Sequence, residues 1–197
     1  MVRPDLSALA DLRARHHVYA CACSRKEIGG ERYPGTCRTR GRPEAHGRGV
    51  RVQIESGAEA LVDALPGPQV QHPEESGDLL LRDRDGHWTY QFAVTVDDHR
   101  DGVTLVIRGV DLLSSSGRQL CLARMFGRTE PPVFLHHPLL YDARGRKLSK
   151  SDGDAGVREL RVAGHHAADV IGRAAVAVGL LDAFRPVPAS TVAELFQ

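Results

Sequence analysis

One segment of the chain, residues 29–49, cannot become ordered through apolar packing alone. It is rich in glycine, proline and arginine, and it contains no valine, leucine, isoleucine, methionine or phenylalanine. Such a segment adopts one conformation only if something pins it. Three of the four cysteines, Cys21, Cys23 and Cys37, lie beside or within it, inside a stretch of 17 residues. The sequence therefore predicts a loop that is organised around its cysteines.

Clustered cysteines without a secretion signal indicate metal binding more than disulfide formation. A structural zinc ion takes four ligands in a tetrahedron, and three thiolates are visible here. The fourth ligand could be Tyr33 or His46, and general ligand chemistry favours His46, because imidazole binds zinc far more often than phenolate does. Three reduced thiols without a metal are the alternative. Cys121 stands apart in an apolar stretch and is expected to be a core residue.

The bulk properties are those of a globular chain with room for a sizeable core. It has 197 residues, 42% hydrophobic and 26% charged, and a formal net charge of +1. This balance excludes an overall basic field, although arginines crowd residues 38–48. No apolar run approaches the roughly 20 residues of a membrane span, and the first 20 residues lack a signal-peptide core. A cytoplasmic location without membrane association is expected.

Periodicity predicts an alternation of helices and strands. Helices are predicted at residues 5–15, 116–126, 167–181 and from 191, where Thr191 and Glu194 have capping-box spacing. Strands are predicted at residues 18–20, 51–55, 78–82, 103–107 and 133–140, with 103–107 buried. Residues 90–96 fit either element, and one of the serines at 114–116 is expected to cap the helix that follows. The alternation favours an α/β architecture.

The chain contains three lysines among 26 basic residues, and two of them share one loop. Lys147 and Lys150 lie in the sequence Lys-Leu-Ser-Lys-Ser, which glycines flank on both sides. An ammonium on a flexible stem can follow a moving phosphate, whereas the arginine fork suits a fixed planar anion. The segment therefore suggests a phosphate-binding loop, with a solvated polar loop as the alternative.

Arg108 ends a predicted strand and is followed by glycine, which is where α/β sheets bind ligands. Its planar fork suits a carboxylate held by two hydrogen bonds. The alternative is a structural ion pair with Asp97, Asp98 or Asp111. The adjacent aspartates themselves suggest a magnesium or acid–base site, or more commonly a cap or an arginine partner. His136 and His137, just before Pro138 at another strand, are expected to be hydrogen-bonded core histidines.

In their order along the chain, these segments resemble class I aminoacyl-tRNA synthetases of the glutamyl type. The matching segments are Tyr90–His99, Gly102–Asp111, Arg118–Gln119, His136 and Lys147–Lys150. The resemblance runs from Leu6 to about Leu180. It is greatest to the short paralogous family, the glutamyl-queuosine tRNA(Asp) synthetases, which lack an anticodon-binding domain.

The resemblance implies an α/β fold that is part of a class I Rossmann-type catalytic domain. Residues 1–20 would end the first Rossmann half, and residues 21–85 would form an inserted zinc knuckle of the acceptor-binding type. Residues 86–152 would form the second Rossmann half with the lysine loop, followed by a small helical region over 153–197. The resemblance also implies that Tyr33 is the fourth zinc ligand, with Cys21, Cys23 and Cys37, and that residues 90–98 are helical.

The implied reaction is the ATP-dependent activation of glutamate, with Mg²⁺ accompanying ATP, and its transfer to queuosine in tRNA(Asp). Lys150, assisted by Lys147, would neutralise the ATP phosphates, and Lys150 would bind ATP. Tyr90 and Arg108 match the positions that bind glutamate. The family expectation is a monomer in the cytoplasm.

The sequence also departs from the family. A motif of the His-Ile-Gly-His type is not found, nor are the early arginine and acidic residue that bind glutamate. The chain is therefore expected to correspond to the second half of the enzyme and to be inactive alone in glutamate-dependent ATP–pyrophosphate exchange. The alternatives are a non-catalytic zinc-containing RNA-binding remnant, and a fragment of a true glutamyl-tRNA synthetase. The compact spacing of Tyr33 and Cys37 favours the paralogue.

Overall fold

The computed structural model describes residues 6–30, 32–141, 145–147 and 156–196. The helices are α1 (Leu6–Arg15), α2 (Arg25–Ile28), α3 (Tyr90–Arg100), α4 (Leu113–Met125), α5 (Val157–Val162) and α6 (Ala167–Ala177). The strands are β1 (Val18–Cys21), β2 (Gly49–Val52), β3 (Glu59–Leu61), β4 (Gln69–Gln71), β5 (Leu79–Arg82), β6 (Leu105–Gly109) and β7 (Val133–His137). Short 3-10 helices cover Pro73–Ser76, Val110–Leu112 and Ala189–Phe196.

The chain divides into two compact units, Met1–His137 and Pro138–Gln197. The first unit holds α1 to α4 and all seven strands, and the second holds α5, α6 and the last 3-10 helix. Mixed helices and strands in the first unit confirm the predicted α/β class.

The main core of the first unit lies on a three-stranded antiparallel sheet of order β1-β2-β5. Leu12 of α1, Leu81 of β5 and Leu122 of α4 are fully buried there. Burying each such side chain contributes about 1.5–3 kcal/mol. Phe92 of α3 joins the same core and stacks on Trp88, with ring centroids 4.8 Å apart. Cys121 is buried in this core, as predicted, and burial raises the pKa of its thiol to about 11.

Strands β6 and β7 form a parallel pair in which Arg108 lies opposite His136 at the carboxyl end. One face of the pair is buried through Phe134, whereas the other exposes Leu105 and Ile107, with 62% of Ile107 accessible. The expectation that residues 103–107 form a buried strand was therefore wrong. In the part of the chain that the structure describes, only one face of this pair is covered, so burial alternates along the strand.

Two helix starts differ from the sequence prediction. Helix α4 begins at Leu113, because the 3-10 helix Val110–Leu112 runs directly into it, so the serines lie inside its first turn and none of them caps it. Thr191 lies within the 3-10 helix Ala189–Phe196, and its hydroxyl donates to the carbonyl of Pro188. The predicted capping box at Thr191 is therefore wrong.

The ambiguous segment at residues 90–96 is helical. Helix α3 begins after Thr89, whose backbone is extended and whose side-chain oxygen accepts the amide of Phe92. A capped start of this kind fixes where the helix begins, which composition alone left open. Among the described residues, no helix is both long enough and apolar enough to cross a membrane.

Candidate functional site

Three cysteines and one tyrosine meet at the end of β1. The thiols of Cys21, Cys23 and Cys37 lie within 4.8 Å of one another. The Cys23 and Cys37 sulfurs are 3.6 Å apart, and the Cys21 sulfur is 3.3 Å from the hydroxyl of Tyr33. A tetrahedral zinc site with Zn–S bonds of about 2.3 Å has edges of about 3.8 Å between its sulfurs. The three thiols, with the Tyr33 hydroxyl beside Cys21, therefore form a candidate four-ligand metal site, called the knuckle below.

Tyr33, rather than His46, is the residue brought to the three thiols. His46 is exposed, whereas Tyr33 is buried and its hydroxyl accepts the backbone amide of Cys37 at 2.9 Å. The backbone of Tyr33 forms a bridge with Gly77, where φ is +72° and an added Cβ would lie 1.9 Å from the Tyr33 carbonyl oxygen. The Arg51 guanidinium covers the tyrosine ring at 3.8 Å. General chemistry favoured His46 because it takes no account of this packing.

The local chain geometry after Cys23 comes from a capped turn. Ser24 caps α2, its hydroxyl accepts the amide of Glu27, and the Glu27 carboxylate accepts the amide of Ser24 in return. This capping box turns the chain back immediately after the cysteine. The two cysteines flanking Ala22 can then both face the loop that carries Cys37.

The thiol pKa values within the knuckle differ from one cysteine to the next. Burial acts to raise the pKa of Cys37, but the amide of Ala22 and hydrogen bonds from Cys23 and Tyr33 outweigh it and lower the value to about 7. Burial raises the pKa of Cys23 to about 11, and burial likewise raises the pKa of Tyr33. Cys37 is thus the thiol that ionises most readily, and a bound cation would favour ionisation of the others.

A buried carboxylate ties the knuckle to the sheet. Asp78, with 1% of its side chain exposed, accepts two hydrogen bonds from Arg38, at 2.8 and 3.0 Å. It also accepts the Tyr19 hydroxyl and the amide of Ile54. Since Arg38 follows Cys37 directly, this ion pair fixes the backbone that carries the last thiol. The arginine-rich stretch is therefore held at one point by charge, and Arg38 serves a structural role.

Arg108, which is buried, has a different environment. The three nitrogens of Arg108 donate to three side chains, to His136 Nε2 at 3.0 Å, to Gln119 Oε1 at 2.7 Å and to Ser116 Oγ at 2.6 Å. The guanidinium also lies 5.0 Å from the ring centroid of Phe134. Among the described residues, no carboxylate forms an ion pair with it. The proposed structural pairing with Asp97, Asp98 or Asp111 is therefore not seen in the described part of the chain.

Of the two neighbouring histidines, His136 is buried and hydrogen-bonded, as the sequence predicted, whereas His137 is exposed. Its Nδ1 contacts the Asp63 carboxylate, and both side chains are 0% exposed. The other Asp63 oxygen accepts the backbone amides of His136 and Leu65, each at 3.2 Å. These hydrogen bonds keep the pKa of Asp63 below its usual value, although burial opposes them. The carboxylate thus neighbours the histidine and does not contact Arg108.

Tyr90 and Asp98 complete the electrostatic surroundings of Arg108. Burial lowers the pKa of the Arg108 guanidinium, while interactions with the Tyr90 hydroxyl and with Asp98 raise it. Tyr90 itself is 53% exposed at the start of α3. Burial also raises the pKa of Asp98, which the charges of Arg128 and Arg108 oppose. The structure thus brings Tyr90 and Arg108 together at the open end of the parallel strand pair.

Only part of the lysine loop lies within the described residues. Lys147 forms an isolated bridge with Tyr141 in the second unit. Lys150 lies outside the described residues, so its predicted role is not tested by the structure. The loop and the Arg108 site belong to different units.

Sequence reasoning did not single out Asp63, Ser116 and Gln91. The Gln91 amide oxygen accepts from Gln119, so it supports a partner of Arg108. Asp63 carried one usable signal, because it stands alone in the apolar run Ala60-Leu-Val-Asp-Ala-Leu65. A lone acid in such a run is buried only with a partner. Ser116 had no distinguishing signal beside two other serines.

Comparison with known proteins gives these sites a family. The family model for tRNA synthetases class I (E and Q), catalytic domain, matches residues 11–172. The chain belongs to this family. Its relatives include the glutamyl-Q tRNA(Asp) synthetase of Nitratidesulfovibrio vulgaris, 42% identical over 92% of this chain and 60% of the relative. The protein of the same name from Bordetella bronchiseptica is 46% identical over 72% of this chain and 49% of that relative. This agrees with the family resemblance found in the sequence.

Solved structures agree on the fold. A glutamate-tRNA synthetase from Elizabethkingia anophelis matches with a TM-score of 0.58 and 24% identity, over 74% of this chain and 34% of that one. A glutamate tRNA ligase from Elizabethkingia meningosepticum gives a TM-score of 0.57 at the same identity and coverage. The chain therefore has the fold of part of a class I catalytic domain. It spans about three fifths of the length of the N. vulgaris relative and about half of the length of the B. bronchiseptica relative.

Proposed function

We propose that this chain supplies the glutamate-binding and phosphate-binding part of an ATP-dependent ligase that charges queuosine in tRNA(Asp). The α-carboxylate of glutamate attacks the α-phosphate of ATP, giving glutamyl-adenylate and releasing pyrophosphate. A hydroxyl of queuosine then takes the glutamyl group, and AMP leaves. The single observation that carries the proposal is the buried Arg108, whose hydrogen-bond partners are all neutral.

Arg108 and Tyr90 are proposed to bind a carboxylate of glutamate. A guanidinium held by neutral side chains keeps its full charge, and burial strengthens its attraction for an anion. Glutamine, which would present an uncharged amide, gains less from the same fork, so the site favours glutamate. Tyr90 is exposed beside the guanidinium and can donate a hydrogen bond to the same ligand.

Lys150, with Lys147 assisting, is proposed to neutralise the β- and γ-phosphates while the bond to the α-phosphate breaks. Charge placed where negative charge develops lowers the barrier, and Mg²⁺ would share this task. The support is the sequence Lys147-Leu-Ser-Lys150, in which two of the chain's three lysines are concentrated.

Cys21, Cys23, Tyr33 and Cys37 are proposed to hold a structural zinc ion. Their mutual distances fit the tetrahedron, and the low pKa of Cys37 suits a thiolate ligand. A bound zinc would cross-link β1 to the apolar-poor loop. Substitution of cobalt for zinc reports the ligand set, because the visible absorption of Co²⁺ differs between three sulfurs with one oxygen and three sulfurs with one nitrogen. We expect Tyr33→Phe to change this spectrum and His46→Ala to leave it unchanged.

The test of the function joins this chain to the part of the N. vulgaris relative that the match leaves uncovered. We expect the joined protein to catalyse glutamate-dependent ATP–pyrophosphate exchange, and Arg108→Lys to raise its KM for glutamate about 10- to 100-fold, as the loss of charge-assisted hydrogen bonds predicts. Arg124→Lys, at an arginine that pairs with Glu59 on the surface, is the matched control. An unchanged KM in the Arg108 variant would contradict the assignment.

The tRNA substrate separates the proposal from its alternatives. Transfer of labelled glutamate to tRNA(Asp) with queuosine, and none to the same tRNA without it, supports the proposal. Transfer to tRNA(Glu) would instead indicate a true glutamyl-tRNA synthetase. Zinc-dependent tRNA binding without any exchange would favour the non-catalytic binding module.

A further inference from the structure

We propose that Asp63 is a positioning residue for Arg108. In this proposal, the Asp63 carboxylate holds the proton of His136 on Nδ1, and the bare Nε2 then orients the guanidinium. The inference rests on the proposed function, in which Arg108 binds a carboxylate of glutamate. The sequence does not show a link between Asp63 and Arg108, because Asp63 lies 45 positions before Arg108 in the chain.

The donors of Arg108 fix the protonation of His136. The Nε of an arginine always carries a hydrogen and cannot accept a hydrogen bond. Its 3.0 Å bond to His136 Nε2 therefore requires a lone pair on that nitrogen, so His136 is neutral with its proton on Nδ1. The nearest group to Nδ1 is the Asp63 carboxylate, which can only accept when ionised. The three residues thus form one chain of hydrogen bonds with a defined direction.

Because Asp63 and His136 are both buried, Asp63 decides which ring nitrogen of His136 carries the proton. Both side chains are fully buried, so water does not offer an alternative partner to either ring nitrogen. Two backbone amides fix the carboxylate, and β-pairing fixes His136 directly opposite Arg108. A carboxylate that orients a histidine, which in turn orients a functional group, is a recurrent supporting arrangement in active sites.

The arrangement also keeps the charge of Arg108 available. If Asp63 paired with Arg108 directly, it would neutralise the guanidinium, as Asp78 neutralises Arg38. The imidazole between them transmits orientation without transferring a full negative charge to the fork. A substrate carboxylate therefore meets a positioned cation that forms no ion pair with a described acid, although Asp98 acts on it at longer range.

The first experiment measures the tautomer in the 197-residue chain itself, labelled with ¹⁵N-histidine. We expect His136, assigned by the signal that His136→Gln removes, to carry its proton on Nδ1, and Asp63→Asn to move it to Nε2. The asparagine amide would point a donor at Nδ1, which then has to accept. A wild-type His136 protonated on Nε2, or on both nitrogens, would overturn the proposal.

The second experiment uses the joined protein described above. We expect Asp63→Asn to raise the KM for glutamate about 10- to 100-fold with the KM for ATP unchanged, as losses of supporting residues do at other sites. The matched control is Asp83→Asn, at an exposed carboxylate 3.4 Å from Nδ1 of His87. Equal effects on both KM values would indicate general damage and contradict the proposal.

A rescue variant distinguishes orientation from stability. In His136→Gln, an amide oxygen can take the place of Nε2 as acceptor without help from Asp63. We therefore expect Asp63→Asn to have little further effect on the KM for glutamate in that background. If the joined wild-type protein shows no exchange, the proposed function fails, and the tautomer of His136 alone decides this inference. If exchange occurs and neither tautomer nor KM responds to Asp63→Asn, the inference fails while the function stands.

Discussion

Two buried aspartates, Asp78 and Asp63, each serve an arginine in this molecule, but in opposite ways. Asp78 contacts Arg38 directly through both oxygens, and the charges cancel. Asp63 contacts Arg108 only through the neutral ring of His136, so the arginine remains without an acid partner among the described residues. The first arrangement fixes a backbone, whereas the second presents a cation.

The charge of the hydrogen-bond partners distinguishes the two arginines. Burying a guanidinium is costly, and direct pairing with a carboxylate is the usual compensation. Where neutral side chains alone satisfy its donors, the fold retains an uncompensated charge, and a ligand is what would stabilise it. Exposure does not separate the two cases, because Arg108 is the more buried arginine.

Removing the metal should have the largest effect, and it should disturb the knuckle without disturbing the region around Arg108. A structural zinc contributes about 10–16 kcal/mol of apparent binding free energy in small zinc domains, so order in the knuckle should depend on it. We expect chelation to abolish amide-exchange protection at residues 21–49 while β6, β7 and α4 keep theirs. Cys37→Ser should lower zinc content in the same way, and the core variant Cys121→Ser should not. Loss of amide-exchange protection across the whole first unit would show that the metal does not stabilise the knuckle alone.

Breaking the direct pair should have the next largest effect. Asp78→Asn removes the carboxylate from Arg38, and because 36% of the Arg38 side chain is exposed, solvent limits the cost to about 1–3 kcal/mol. We expect this decrease in the free energy of unfolding, measured with urea. The exposed pair of Glu59 and Arg124 provides the control, because Glu59→Gln should cost less than about 1 kcal/mol. Equal costs would mean that burial does not distinguish the pairs.

Asp63, which contacts Arg108 only through His136, should make the stability of the chain depend on pH. The pKa of Asp63 is lowered in the folded chain, so its contribution to stability is present above the unfolded value of about 4 and is lost as pH falls through the lower folded value. We expect the wild-type chain to lose stability in this window with an extra slope of up to about 1.4 kcal/mol per pH unit. Asp63→Asn should lack that component. Identical slopes in urea titrations at several pH values would argue against an ionised Asp63.

The smallest effect is expected at the surface. Glu44 joins Arg13 and Arg82 across exposed side chains, which water and salt screen. We expect Glu44→Gln to change the free energy of unfolding by less than about 1 kcal/mol, and the difference to shrink further at high salt. A cost comparable to that of Asp78→Asn would show that this link, too, helps to fix the arginine-rich loop.

Local sequence patterns predicted several parts of this protein. They predicted α1, β1 and β5, the buried Cys121 and His136, and the cysteine cluster, whereas the family came from the resemblance of several segments in order. These features depend on neighbours in the chain or on residue chemistry, which a sequence displays directly. Propensity did not decide residues 90–96, and the resemblance assigned them to a helix, which the cap at Thr89 explains.

The tertiary structure explains which residues meet. Residue chemistry favoured His46, whereas the family resemblance implied Tyr33. Tyr33 reaches the thiols because the close approach of Gly77 and the ring contact with Arg51 hold it there. Asp63 reaches His136 across 73 positions of sequence, and Asp78 reaches Arg38 across 40. Such long-range contacts are set by the packing of whole elements. The partners of each arginine follow from that packing, because Arg38 lies beside the Asp78 carboxylate, whereas Arg108 donates to neutral side chains and to His136.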